Sequence, residues 1–173
     1  MNECHKQNDA RERILDEAEA LFARNGFRAV TVRRITSAAG CNLAAINYYF
    51  GSKKNLYLEV FQERWIPRAH RVHKFFHNLL EGQKNPSAHT VVHTLAESFL
   101  VGPLTDDERE RHHQLMSREL TQPSEALALV TEQVMRPFFQ ELSNHLQPLL
   151  PEEAEPERLV LDLMCTFSMI LYF

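Results

Sequence analysis

Residues 31–54 read TVRRITSAAGCNLAAINYYFGSKK, and the rest of the chain is organised around them. The stretch holds four basic residues (Arg33, Arg34, Lys53, Lys54) and no acidic one. Thr31 has the side chain of a helix N-cap and Gly40 that of a helix stop, which predicts a first short helix ending at Ala39. Ile35, Ala38 and Ala39 are expected to face inward, the alanines letting a following helix cross closely. Asn42 caps that second helix, which ends near Phe50-Gly51. With Ile46 at the core and about 100° per residue, Asn42, Tyr49 and Phe50 fall near the inner face. Ala44, Ala45, Asn47 and Tyr48 then turn outward. A third helix starts at Ser52. Two short helices across a tight glycine turn, with helices on either side, make a helix-turn-helix.

Working outward, Asp9 followed by Glu12 has the spacing of a capping box, so a preceding helix is expected to start at Asp9. Ile14, Ala18, Leu21 and Phe22 recur at helical spacing along it, and Asn25-Gly26 stops it. On the other side, the Ser52-capped helix runs through Trp65 towards Leu80, with Pro67 expected to kink or break it. A loop at 81–88 leads to a helix from Ala88 to Val101. Thr105 to Glu108 is a second capping-box start, for a helix reaching Leu120. A further helix is expected from Pro123, with Leu127, Val130, Val134, Phe138 and Leu142 on one face. Pro148–Pro156 reads as an acidic linker, and Leu159–Phe173 as a last helix, apolar nearly all round and so destined for burial in this fold or in a partner. The predicted class is all-α: a three-helix head at 1–53 and a helical body for regulation and dimerisation at 54–173.

Composition agrees. Five glycines in 173 residues, with no long alternating β-branched runs, argue against a sheet protein. The net charge of -4 conceals a division. Residues 1–54 carry nine Lys/Arg against six Asp/Glu, net +3, while 55–173 carry ten against seventeen, net -7. A basic head on an acidic body fits contact with a polyanion at one end. Cys4, Cys41 and Cys165 are odd in number and widely spaced, which gives no disulfide framework and predicts a reducing, cytoplasmic setting. The polar N-terminus has no signal-peptide core, and the apolar run at 159–173 falls short of the ~20 residues that cross a bilayer, so no membrane partner is expected.

A helix that enters the major groove of DNA needs a small or polar outer face, so that its backbone can approach the bases. Ala44 and Ala45 supply closeness and contact to thymine methyls, and Asn47 can donate to and accept from base edges. Tyr48 and Tyr49 can reach phosphates through their hydroxyls. Thr31 and Lys53 sit at helix starts, where free N–H groups already favour an anion. Arg33 and Arg34 add general attraction.

The pattern T-V-R-R-I-x-x-A-A-G-C-x-x-x-x-I-x-Y-Y-F-G-S-K-x-x-L resembles the DNA-binding domain of TetR-family transcriptional repressors. Ile14-Leu15, Ala18, Leu21-Phe22 and Gly26-Phe27 fit that family's first helix, so the resemblance covers roughly residues 9–60. It implies base contacts from Leu43, Ala44, Ala45 and Asn47, and phosphate contacts from Thr31, Tyr48, Tyr49 and Lys53. Asn47 stands where an aromatic is common in the family and Leu43 where a polar residue is common, so operator preference does not transfer. Further on, Met116-Ser-Arg-Glu-Leu, Pro123 and Glu132-Gln-Val with Pro137 are similar to the CecR-like branch, which has its own helical C-terminal domain. The resemblance implies a homodimer on palindromic double-stranded DNA and a small-molecule effector bound in the body. It also implies a helix after Phe173, so the chain reads as cut short there.

Rival readings are weaker. His73/His77 and His89/His93 are each spaced for a metal-binding pair on a helix, the basis of a metal-dependent sensor or enzyme, but no Cys or Asp cluster joins them. No metal and no cofactor is therefore expected. Cys41 reads as a small turn residue rather than a redox switch. Phe61, Trp65, Phe99, Met116 and Phe138 are candidates to line the effector pocket, although such spacing also describes plain core. Arg118 and Glu119, charged among apolar neighbours, are expected to pair together or to orient a ligand. No nucleophile–base–acid set and no phosphate-binding glycine loop appears, so an enzyme is not expected.

Overall fold

A computed structural model of the chain describes residues 2–149 together with 161, 162, 165, 168 and 169. Every regular element among the described residues is helical. In order these are α1 (Asn2–Ala29), α2 (Val32–Ala38), α3 (Ala44–Phe50), α4 (Lys53–Val60), a π-helical turn (Phe61–Trp65), α5 (Ile66–Glu81), α6 (Ala88–Leu100) and α7 (Asp106–Thr121). Then come α8 (Glu125–Val130), a second π-helical turn (Thr131–Met135), α9 (Arg136–Leu146) and a 3-10 turn (Gln147–Leu149).

Packing divides the chain into two compact units, one of residues 1–67 with 106–129 and the other of 68–105 with 130–173. The first unit thus joins the helix-turn-helix to α7 and the start of α8. Its core is built from Ile14, Leu15, Ala18 and Phe22 of α1, Ile35, Ile46, Leu56, Phe61 and Leu115, all fully buried. Each Ile, Leu and Phe among them contributes roughly 1.5–3 kcal/mol by leaving water. The second unit is built around Val72, Phe76 and Leu80 of α5, Val91, Leu95 and Phe99 of α6, and Phe138, Leu142 and Leu146 of α9.

Several local expectations need correction. Helix α1 does not start at Asp9 but runs from Asn2, and the Asp9 carboxylate pairs with Arg13 one turn on instead of capping. Ala38 is exposed; the inner face of α2 is Ile35, Thr36 and Ala39. Thr36 tolerates burial because its hydroxyl donates back to Val32 and Arg33 carbonyls at 3.1 and 3.2 Å. Pro123 does not open a helix; α8 starts at Glu125.

Pro67 does not end its helix: α4, the π-helical turn and α5 follow one another without a gap. The turn before it widens, so that the amide of Ile66 donates to the carbonyl of Phe61, five residues back. Pro67 thus falls in the first turn of α5, where its missing N–H is tolerated. Pro137 is preceded by the same device, with Arg136 donating to Thr131. The reading of Leu159–Phe173 as one buried helix lies mostly outside the described residues. Of those described there, Leu161, Cys165 and Met169 are helical and exposed.

Candidate nucleic-acid interface

The helix-turn-helix is set by three local devices. Thr31 caps α2 by accepting from the amide of Arg34 at 3.2 Å. Gly40 takes φ 63°, which lets the amide of Cys41 reach back to the Thr36 carbonyl at 2.9 Å and ends the helix. The Asn42 side chain then accepts from the amide of Ala45 at 3.0 Å and starts α3. A fourth device follows: Gly51, at φ 73°, closes α3, and Ser52 caps α4 by accepting from Asn55 at 3.0 Å.

With Ile46 and Phe50 buried, α3 turns its other face outward. Tyr48 is 72% exposed and Leu43 48%, Ala44 and Asn47 are exposed, and Ala45 and Tyr49 are half-buried. The Tyr48 and Tyr49 rings meet edge to face, centroids 4.9 Å apart. Thr31, Arg33 and Arg34 are exposed on and before α2. Cys41 is half-buried, and its thiol donates to the Ala39 carbonyl at 3.4 Å.

Behind this surface α1 is held to α4 and the π-helical turn after it by paired charges. Arg11 binds Glu59 at 3.0 Å and Glu63, and lies over the Phe50 ring at 5.3 Å. Arg64 binds Glu12 at 2.6 Å and Asp16 at 2.9 Å. The Arg11 guanidinium holds the Glu63 carboxyl below its ordinary range. Lys54 does not face outward freely: it pairs with Glu125 at 2.5 Å.

Lys53 is differently placed from the other candidates. Its ammonium is half-buried and donates to the carbonyls of Phe27 and Val30, each at 2.7 Å, with the Phe27 ring 4.1 Å away.

Glu119, singled out in the sequence without a fixed partner, is 1% exposed and forms a node. Its carboxylate accepts from the Tyr57 hydroxyl at 2.6 Å, the Ser124 amide and hydroxyl at 2.9 Å, and the Leu127 amide at 3.2 Å. It therefore caps α8 from the end of α7, and burial followed by this carboxylate pushes the Tyr57 hydroxyl pKa well above its ordinary value. Arg118 does not pair with it. Arg118 donates instead to the Ala23 and Arg24 carbonyls, at 2.9 and 2.5 Å, where α1 breaks at Gly26. The only sequence signal was a charged pair among apolar neighbours, which fixed no partner.

The five candidate pocket residues are packed as core. Phe61, Trp65 and Met116 are buried in the first unit, with the Trp65 ring stacked 4.1 Å from His112. Phe99 and Phe138 are buried in the second, centroids 6.1 Å apart. A cleft of about 550 Å³ lies elsewhere, lined by Gly26, Phe27, Tyr57, Arg118, Glu119 and Ser124 among others. Of the histidine pairs, His73 stacks on Phe138 at 4.0 Å, and His77 is held between Glu81 and Glu141 at 3.0 and 3.1 Å. His89 and His93 are exposed with rings 6.1 Å apart. Among the described residues no group of three or more His, Cys, Asp or Glu is placed to hold a metal ion. Nor, among them, is any helix long and apolar enough to cross a membrane.

An all-helical chain whose first unit presents a small, polar helix face beside two exposed arginines has the build of a DNA-binding regulator. Residues 14–60 match the family described as bacterial regulatory proteins, tetR family. The chain belongs to the TetR family of bacterial transcriptional regulators, whose members are regulators and not enzymes. Residues 88–173 match the C-terminal domain of the HTH-type transcriptional dual regulator CecR. The chain is 30% identical to CecR of Shigella flexneri over 177 residues, 97% of this chain and 77% of that protein. It is 40% identical to the transcriptional repressor AcnR of Corynebacterium glutamicum over 58 residues, 34% of this chain and 31% of AcnR. In structure it resembles SmeT, the repressor of the Stenotrophomonas maltophilia multidrug efflux pump SmeDEF. The TM-score is 0.65 at 22% identity, over 95% of this chain and 79% of SmeT. A SmeT–triclosan complex superposes with a TM-score of 0.63 at 23% identity, over 94% of this chain and 78% of that one.

Proposed function

We propose that the chain is a cytoplasmic, homodimeric repressor that binds a palindromic operator through α3 and leaves it when a small apolar molecule binds. The observation that carries this reading is the outer face of α3. Ala44, Asn47 and Tyr48 stand exposed over a buried Ile46 and Phe50, beside exposed Arg33 and Arg34, with no acidic residue anywhere in 31–54. Such a face brings a helix backbone close to base edges while the surrounding charge draws it to phosphate.

In this reading Leu43, Ala44, Ala45 and Asn47 meet bases. Thr31, Tyr48, Tyr49 and Lys53 meet phosphates, and Arg33 adds long-range attraction. The head is taken as 1–53 and the regulatory and dimerising body as 54–173. Two heads would enter successive major grooves, ~34 Å apart. The effector class rests on the body's apolar composition and on the family, one of whose structural neighbours holds triclosan.

The test is a gel shift of the purified protein against DNA flanking its own coding region, followed by selection from a randomised duplex pool. A palindromic consensus is expected. Binding of equal strength to every duplex would remove the sequence-reading role from α3.

A further inference from the structure

The cleft of about 550 Å³ lies wholly within the first compact unit, between the end of α1, Tyr57 of α4 and the connection from α7 to α8. Clefts of roughly 300–1,000 Å³ hold small-molecule ligands. None of the five aromatic and Met residues taken from the sequence as a pocket lines it. Phe27 and Tyr57 give it aromatic surface, with ring centroids 5.1 Å apart, and Ala29 and Pro123 continue the apolar part. Its charged residues are Arg28, Arg118 and Glu119.

The carboxylate of Glu119 is already satisfied. It accepts from the Tyr57 hydroxyl at 2.6 Å, from the amide and hydroxyl of Ser124 at 2.9 Å and from the Leu127 amide at 3.2 Å. A cation drawn to it would displace donors that are themselves part-buried, at the cost of leaving them unpaired. The positive side of the cleft is less committed. Arg118 is half-buried, and a guanidinium carries five N–H donors in a fixed fork. Its Nε and Nη2 donate along one side edge to the Ala23 and Arg24 carbonyls, at 2.9 and 2.5 Å. The end edge, with one N–H from each of Nη1 and Nη2, has no partner among the described residues. Two parallel N–H groups on such an edge match the two oxygens of a carboxylate. Gly26 keeps this nitrogen open, because a Cβ there would lie 3.4 Å from Nη1. Arg28, exposed, adds a second positive charge to the lining.

We propose that this cleft is a ligand site for a small carboxylate with a flat apolar body. The carboxylate takes the end edge of Arg118, and the body lies on the Phe27 and Tyr57 rings. The site goes beyond the apolar effector proposed for the body, and it does not depend on the reading that the head binds DNA.

The experiment is calorimetric titration of the full chain with naphthoate, with neutral naphthamide and with cationic naphthylmethylamine. It is repeated on Arg118→Gln and Gln122→Trp, and amide hydrogen exchange is followed with and without naphthoate. One naphthoate per chain is expected, bound about tenfold more tightly than the amide, the difference a charge-assisted pair makes. Both variants should weaken it by at least about the same factor. Arg118→Gln also gives up the bonds to the Ala23 and Arg24 carbonyls, so Gln122→Trp is the independent variant: it fills the cleft from an exposed lining residue and leaves those bonds in place. Exchange should slow at residues 25–29 and 118–124. Absence of binding at millimolar naphthoate overturns the proposal. So does equal affinity for the amide, tighter binding of the amine, undiminished binding to Gln122→Trp, or slowed exchange confined to residues 68–105.

Discussion

Three side chains show how far a residue's neighbours decide its work. Asn47 lies exposed on α3, with no side-chain partner among the described residues. Asn47→Ala should relax the preference at one operator position, at a cost of about 1–3 kcal/mol on the preferred base. A randomised-operator selection that returned the wild-type consensus for this variant would remove Asn47 from the base-reading set. Tyr57 is buried, and its hydroxyl donates to a carboxylate at 2.6 Å. Tyr57→Phe should lower stability by roughly 1.5–3 kcal/mol, the worth of a hydrogen bond to a charged group, read from urea unfolding at constant m-value. His73 is mostly buried on Phe138, and burial, then the nearby His70, pull its pKa from 6.5 down to about 4. The unfolded chain thus binds a proton that the folded chain refuses. Between pH 6.5 and about 4 the folded state loses stability as pH falls, by an amount on the order of 3 kcal/mol. His73→Phe should flatten that acid limb in unfolding curves taken at pH 7 and pH 4.5. One turn further along α5, His77 acts in the opposite sense. Its pKa is raised, first by its hydrogen bond to Glu141, so what it contributes is full at low pH and fades as pH rises through that raised value.

Among the elements, legibility followed how local the signal was. The short helices α2 and α3 and the turn between them were readable because Thr31, Gly40, Asn42, Gly51 and Ser52 act within a few residues of themselves. Their caps and positive φ values stand where the letters place them. The misplaced starts, at Asp9 and Pro123, came from groups whose partners lie elsewhere. Asp9 could cap or could pair with Arg13, and α8 is capped by Glu119, a side chain that arrives from the preceding helix. Lys53 shows the same limit, since no spacing rule connects it to carbonyls 23 and 26 residues away. Gly26 is the element-scale position most exposed to test. Its φ and ψ of 77° and 162° are open almost only to glycine, and Arg118 fills the space beside it. Gly26→Ala should cost about 1–3 kcal/mol of stability and weaken DNA binding by loosening the entry to α2. A variant with wild-type melting and wild-type operator affinity would show that the turn relaxes freely.

For the whole molecule, the charge division legible in the composition is realised in part by internal pairing. Arg11, Arg64 and Lys54 are all engaged with acidic partners, which leaves Arg33 and Arg34 as exposed cations beside α3. If the proposed effector releases the operator, the two sites share one coupling free energy, and operator DNA must weaken effector binding by the same factor. Titrating an effector in the presence and absence of saturating operator measures both sides of that cycle, and unequal factors would rule out a shared two-state equilibrium. The pocket residues were the least legible part, because an aromatic at helical spacing reads the same whether it lines a cavity or fills a core. The first compact unit takes in residues 106–129 as well as 1–67. Arg111 reaches Glu19 and Arg118 closes the end of α1, so the head borrows part of its scaffold from a distant stretch of chain. A chimera that grafted residues 1–53 of this protein onto a foreign regulatory body would leave that scaffold behind. Exchange of specificity between relatives is then better attempted by transplanting the outer face of α3 alone.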